Sequence, residues 1–192
     1  PDGVLFLTQG VDCQVDRLEV STWGWGRGEE AFLIDHVQLW GDPHQAEVWQ
    51  QLEIVLNQKY EHAVNKDLVP VMTAIDSGGI HTSEVYHFAR EKVAQGVIAI
   101  KGQSQPNKPA IGKPTRVDIN FRKSNRAIKK GGLVYPLGVD TIKNTLMGRL
   151  KNNKKGSYGY IHFHRSTNEE YFKQLTAERQ VLKTNRAGFQ VP

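Results

Sequence analysis

Two periodicities divide the chain into elements. Val4, Leu5, Phe6 and Leu7 form a continuous apolar run, and beyond Gly10 and Asp12 the positions Leu18, Val20 and Thr22 alternate with polar residues. Period-two alternation of this kind predicts half-buried strands. Arg17 to Trp25 and Ala31 to Trp40 both read as strands, joined by the turn Gly26, Arg27, Gly28, Glu29, and with the first run they predict an antiparallel meander. Asp16 falls in its first turn, where a structural role suffices. Trp23 and Trp25 share a strand face and are expected to pack against a helix rather than stack on bases.

The period then lengthens. Gly41, Asp42 and Pro43 break the sheet, and Asp42 before Pro43 is a favourable helix opening. From His44 to Tyr60, Val48, Leu52, Val55 and Leu56 recur at helical spacing. Val69 to Ile75 predicts a buried strand ending in Asp76, Ser77, Gly78, Gly79. His81 to Ala94 predicts a helix with Thr82 or Ser83 as cap, and Gly96 to Ile100 another buried strand. Strand, helix, strand implies a parallel pair with a right-handed crossover.

From Lys101 to Lys130 apolar periodicity fades into a long basic excursion, with a short strand expected around Arg116 to Phe121. Leu133 to Val139 returns to strand, and Asp140 and Thr141 open a helix through Leu150, with Asp140 explained as a cap. Tyr158 to Phe163 predicts a strand, Thr167 to Leu175 a helix capped near Ser166, and Glu178 to Pro192 a final strand.

Composition adjusts this picture in three ways. The 192 residues fit one domain with a sizeable core, and opening on Pro1 fits a piece of a longer polypeptide. The net charge of +5 suggests an anionic partner, with nucleic acid first because the basic residues cluster in the excursion, against the plain reading of a soluble basic protein. Cys13 is the sole cysteine, which excludes an internal disulfide and a multi-cysteine zinc site. No apolar run approaches the ~20 residues that span a bilayer, so no membrane role and a cytosolic setting are expected.

Three antiparallel strands, then helix, strand, helix, strand is the order of a ribonuclease H-like fold: an α/β mixed sheet flanked by helices, here with a basic excursion after the second helix-strand unit. In that fold the first strand and the strand after the first helix are neighbours, so Asp12 and Asp76 would converge. Either residue alone reads as a turn aspartate. Together they form an all-oxygen site for Mg²⁺ or Mn²⁺, and two such ions about 4 Å apart suit phosphodiester hydrolysis.

The phrases TQGVDCQVDRLEVSTWGWGRGEEAFLIDH, GDP, AIDSGG, VYPLGVDTIKNTLMGRL, GYIHFH and EEYFKQLTAE, in this order, resemble the nuclease domain of the lambda-type large terminase subunit. The resemblance covers nearly the whole chain, residues 1–192. It implies a metal-dependent endonuclease that cuts concatemeric double-stranded viral DNA during genome packaging in the bacterial host cytoplasm. The terminase small subunit and the portal or prohead are the implied partners. A preceding ATPase motor domain is also implied, and no G-x-x-x-x-G-K-[ST] loop occurs here.

By the same resemblance Asp12 matches the first-strand metal ligand and Asp76 the second. The third acidic position belongs to a stretch resembling NEALD, which does not occur before Pro192 and is expected beyond it. His162 and Glu19 are the remaining candidates for the metal, against bland readings as a packed histidine and a solvent-facing strand residue. Lys113, Arg116, Arg122, Lys123, Lys129 and Lys130 in the excursion, with Lys143 and Arg149 on the following helix, are the expected DNA contacts, against the plain reading of solvated charge. Two other functions stay open: a catalytically silent DNA-binding or motor-docking module, and a resolvase- or transposase-like nuclease of the same fold.

Overall fold

The structure, a computed structural model, describes residues 1–64, 66–120, 127–177, 183–184 and 190–191. The chain divides into two compact units, Pro1–His162 and Phe163–Pro192.

The first unit is α/β. Strands β1 (Phe6–Cys13), β2 (Arg17–Trp25) and β3 (Ala31–Trp40) form the meander, with β2 and β3 on the bounds expected from alternation. Helix α1 (Ala46–Leu56), β4 (Pro70–Asp76), α2 (Thr82–Glu91), β5 (Val97–Gln103), β6 (Thr115–Asn120), β7 (Ala127–Gly138), α3 (Val139–Lys151) and β8 (Ile161–His162) follow. The mixed sheet runs β6-β7-β5-β4-β1-β2-β3-β8. Its centre is parallel, with β4 between β1 and β5, as a ribonuclease H-like order requires. β8 adds a short parallel strand beside β3, covering that edge.

One face of the sheet carries the main core. Val11, Leu18, Val20 and Ile75 point into it, and α1 and α2 cover them with Val48, Leu52, Val55, Val85 and Phe88. A chain of buried polar side chains runs beneath α1. The Gln9 amide donates to Thr22 Oγ1 (3.2 Å) and to the Val55 carbonyl (3.3 Å), while Thr73 Oγ1 donates to Gln9 Oε1 (3.0 Å). Thr22 and Thr73 are the register partners of Gln9 on β2 and β4, so the chain pins three strands at one level.

Several element starts differ from the sequence reading. α1 begins at Ala46 rather than His44, because Asp42 spends its carboxylate on the His44 amide (2.8 Å) in a preceding turn. Neither Thr82 nor Ser83 caps α2: His81 stands at that position, and the Thr82 hydroxyl donates to the carbonyls of Ser77 and Gly79. Asp140 lies inside the first turn of α3, behind Gly138. β4 is buried only in its second half, since β5 joins it from Thr73 onward and leaves Val71 and Met72 exposed. Gly96, at φ 78°, supplies the left-handed turn into β5, where a Cβ would stand 2.5 Å from the Val71 carbonyl oxygen.

Trp23 and Trp25 share the face of Glu19 and Asp12, opposite α1 and α2, and Trp25 donates to Thr8 Oγ1 (2.8 Å). Neither α1 nor α2 is therefore the helix they were expected to pack against.

The second unit holds α4 (Glu169–Leu175), capped by Asn168, whose side chain accepts from the Tyr171 amide (2.9 Å). Ser166 instead bonds His164. Phe163 and Phe172 meet edge to face at 4.9 Å. Two short antiparallel strands, β9 (Lys183–Thr184) and β10 (Gln190–Val191), stand where a single last strand was expected. The intervening part of that expectation lies outside the described residues. Among the described residues no helix is long and apolar enough to cross a membrane.

Candidate functional site

Asp12 and Asp76 occupy adjoining strand ends. β1 and β4 run parallel with Val11 opposite Ile75, and each carboxylate is the next residue along its strand. Val11 and Ile75 point into the core, so strand alternation turns both aspartates to the opposite face. Glu19, the register partner of Asp12 on β2, shares that face. Three carboxyl groups from three neighbouring strands thus stand at one end of the sheet, on the side away from α1 and α2.

Each carboxylate is oriented by a neighbour. The Gln14 amide donates to Asp12 Oδ2. Asp76 Oδ1 accepts the Gly78 amide at 3.0 Å, the turn role expected of an aspartate before two glycines. A carboxylate has about four acceptor sites, so this bond is compatible with ligation. Gly78 also lets the backbone approach closely: a Cβ there would stand 3.3 Å from Asp76 Oδ1. Glu19 is more committed, since Arg17 grips Oε1 through Nε (2.8 Å) and Nη2 (2.7 Å). The donor set is hard oxygen throughout, which fits Mg²⁺ or Mn²⁺.

Cys13, the next residue after Asp12, reports the charge gathered here. Burial first, and then the negative charges of Asp12, Glu84 and Asp76, together push its thiol up to about 12. It stays protonated and is no nucleophile at neutral pH.

The other candidates are dispersed. His162 lies on β8, at the far edge beyond β2 and β3, where its Nε2 contacts Glu30 Oε1 (2.6 Å) and its ring stacks on Phe32 (centroids 4.0 Å apart). The structure does not bring it to Asp12 and Asp76; its surroundings match the packed, hydrogen-bonded reading. Arg149 pairs with Glu29 and packs on Gly159. Tyr158 also donates to Glu29, and these two bonds hold the Glu29 carboxyl below its usual range.

Lys143 is half-buried on α3. Arg116, Lys129 and Lys130 are exposed on the β6–β7 hairpin at the other edge of the sheet, and Lys113 is exposed just before it. Asp118 organises that hairpin, accepting the Lys130 amide (2.7 Å) and Lys129 Nζ (3.0 Å). Arg122 and Lys123 lie outside the described residues.

Sequence reasoning missed Gln14 and Gly78 as partners of the two aspartates. A glutamine two residues after Asp12 and a glycine two after Asp76 are the available signals, and both are meaningful only once the carboxylates are known to matter.

Comparisons with known proteins bear on the family of the chain. Residues 1–191 match the family described as terminase large subunit gpA, endonuclease domain. The terminase large subunit of Escherichia phage lambda is 33% identical over 191 residues, covering 95% of this chain and 28% of that protein. The terminase large subunit of Enterobacteria phage P21 is 32% identical over 151 residues, 79% of this chain and 22% of that protein. The chain therefore spans about a quarter of the length of these relatives. No solved structure matches at a significant level. A family match along nearly its full length, on a mixed α/β sheet of ribonuclease H-like order, places the chain in the endonuclease-domain family of the phage terminase large subunit.

Proposed function

We propose that this chain is a metal-dependent endonuclease that cuts concatemeric double-stranded DNA during viral genome packaging, with Asp12 and Asp76 as its metal ligands. The observation that carries the reading is the placement of these carboxylates on one open face at the ends of adjoining parallel strands. Asp12 and Asp76 hold the cation side by side, while Gln14 and the Gly78 amide fix their orientation. When bound, a pair of Mg²⁺ or Mn²⁺ ions supplies water activation and neutralises the leaving oxygen. Glu19, beside Asp12, is neutralised by its pairing with Arg17.

Arg116, Lys129, Lys130 and Lys113 seat the phosphodiester backbone along the β6–β7 edge, a contact that sets position rather than sequence. The host cytoplasm is the setting, and the terminase small subunit and the portal or prohead are partners of the longer protein to which this domain would belong.

The test is supercoiled plasmid incubated with the protein in Mn²⁺, Mg²⁺ or EDTA, beside Asp12→Asn and Asp76→Asn. Nicking and linearisation are expected with either metal, abolished by EDTA and by both variants. Cutting that survives in both variants would remove the carboxylates from the mechanism. Retarded DNA with no cutting under any metal would return the chain to a silent DNA-binding module.

A further inference from the structure

The N-terminal ends of α1 and α2 meet on the helix-covered face, at the same end of the sheet as Asp12 and Asp76 but across it. There His44, in the turn before α1, meets His81 and Glu84 at the start of α2, with ligand atoms all within 4.8 Å of one another. His44 Nδ1 lies 2.9 Å from Glu84 Oε1 and 3.1 Å from His81 Nδ1. The His81 ring is 2% exposed. The side chains of His44 and Glu84 are 22% and 18% exposed and line an open cleft with Trp49, Ser83 and His87.

Two imidazole nitrogens and a carboxylate oxygen converge here, and one hydrogen on His44 Nδ1 can be aimed at Glu84 or at His81, but not at both with full strength. A metal ion bonds all three at once. Ligand atoms 2.0–2.1 Å from Zn²⁺ at the tetrahedral angle stand about 3.3 Å apart, close to the two His44 contacts, and the third pair lies within 4.8 Å. The cleft gives water access to a fourth position. Two nitrogens and one oxygen suit Zn²⁺ or Co²⁺, whereas the all-oxygen group of Asp12 and Asp76 suits Mg²⁺ or Mn²⁺.

We propose that His44, His81 and Glu84 form a second metal site, selective for a Zn²⁺-class ion, that clips the N-terminal ends of α1 and α2 together behind the sheet. This site does not rest on the nuclease reading. His81 and Glu84 stand at helical i, i+3 spacing in the sequence, but His44 joins them only through tertiary structure, so sequence inspection does not find the set.

Equilibrium dialysis of the tag-free chain against Zn²⁺ is expected to leave about one ion per chain under conditions that strip adventitious metal. Co²⁺ in its place is expected to give the intense visible absorption of a four-coordinate N/O site and to raise the melting temperature. Both signals are expected to vanish in His44→Gln and in Glu84→Gln, neither of which removes the deeply buried His81. Both are expected to persist in Asp12→Asn/Asp76→Asn, whatever happens to DNA cutting. Absence of the four-coordinate spectrum, its survival in both His44→Gln and Glu84→Gln, or its loss in the aspartate variant would each overturn the proposal.

Discussion

Replacing Gln9 by Leu tests the physical basis of the carboxylate geometry without touching a carboxylate. Gln9 is buried, and its amide makes three hydrogen bonds, to Thr22, Thr73 and the Val55 carbonyl. Leu fills similar space but returns none of them. Each such bond contributes about 0.5–1.5 kcal/mol net, so the single substitution is expected to destabilise by about 2–4 kcal/mol. The Val55 carbonyl keeps the Gln58 amide (3.2 Å) and Thr22 keeps the Tyr60 hydroxyl (3.2 Å), leaving the Thr73 hydroxyl as the principal casualty.

Removing the partners as well, in Gln9→Leu/Thr22→Val/Thr73→Val, is therefore expected to recover at least half of the loss, since a matched apolar set leaves few polar atoms stranded. Urea unfolding followed by tryptophan fluorescence measures both variants, because Trp23, Trp25, Trp40 and Trp49 all lie in the first unit. With a slope near 2 kcal/mol/M the single variant shifts the midpoint down by about 1–2 M. A triple variant less stable than the single one, or a single-variant shift under about 0.3 M, would refute the network's role.

Four further outcomes follow from the same structure. Leu52→Ala, on the buried inner face of α1, is expected to lose about 2–5 kcal/mol in the same urea assay. Gly96→Ala is expected to destabilise the unit because it combines a positive φ with a 2.5 Å approach to the Val71 carbonyl, read as a lowered melting temperature. Cys13, with its thiol pushed up to about 12 from an ordinary 9.0, is expected to alkylate at pH 8 more than tenfold more slowly than in urea-unfolded protein, because its thiolate fraction falls about a thousandfold while its intrinsic nucleophilicity rises, followed by mass spectrometry. Its reactivity should rise with pH until that shifted value is reached. Lys113→Gln/Arg116→Gln is expected to reduce the slope of log affinity against log salt for duplex DNA by about 1.8, because each phosphate contact contributes about 0.9. An unchanged slope would remove both side chains from the DNA seat.

Much of the fold was legible because alternation is a direct consequence of burying one face. Leu18, Val20 and Thr22 defined β2 to its ends, and Val48, Leu52, Val55 and Leu56 marked the buried stripe of α1. Local chemistry was less decisive at helix starts: Asp42 satisfies a turn amide rather than the end of α1, and His81 displaces Thr82 as the α2 cap. The site was legible only as a pair of acidic strand ends. That Asp12, Asp76 and Glu19 share a face depends on strand register, which one sequence does not encode locally. The separation of His162 from the aspartates was hidden for the same reason, since the position of β8 beyond β3 is a property of the whole sheet.

The parallel pairing of β1 with β4 has a consequence for biosynthesis. The two halves of the carboxylate pair come from strands separated by the meander and by α1, so neither a nascent chain ending before β4 nor one still collapsing can bring Asp12 and Asp76 together. Closing so long a loop makes this a slow, non-local contact. On the proposed reading, nuclease competence is thereby deferred until the domain is folded.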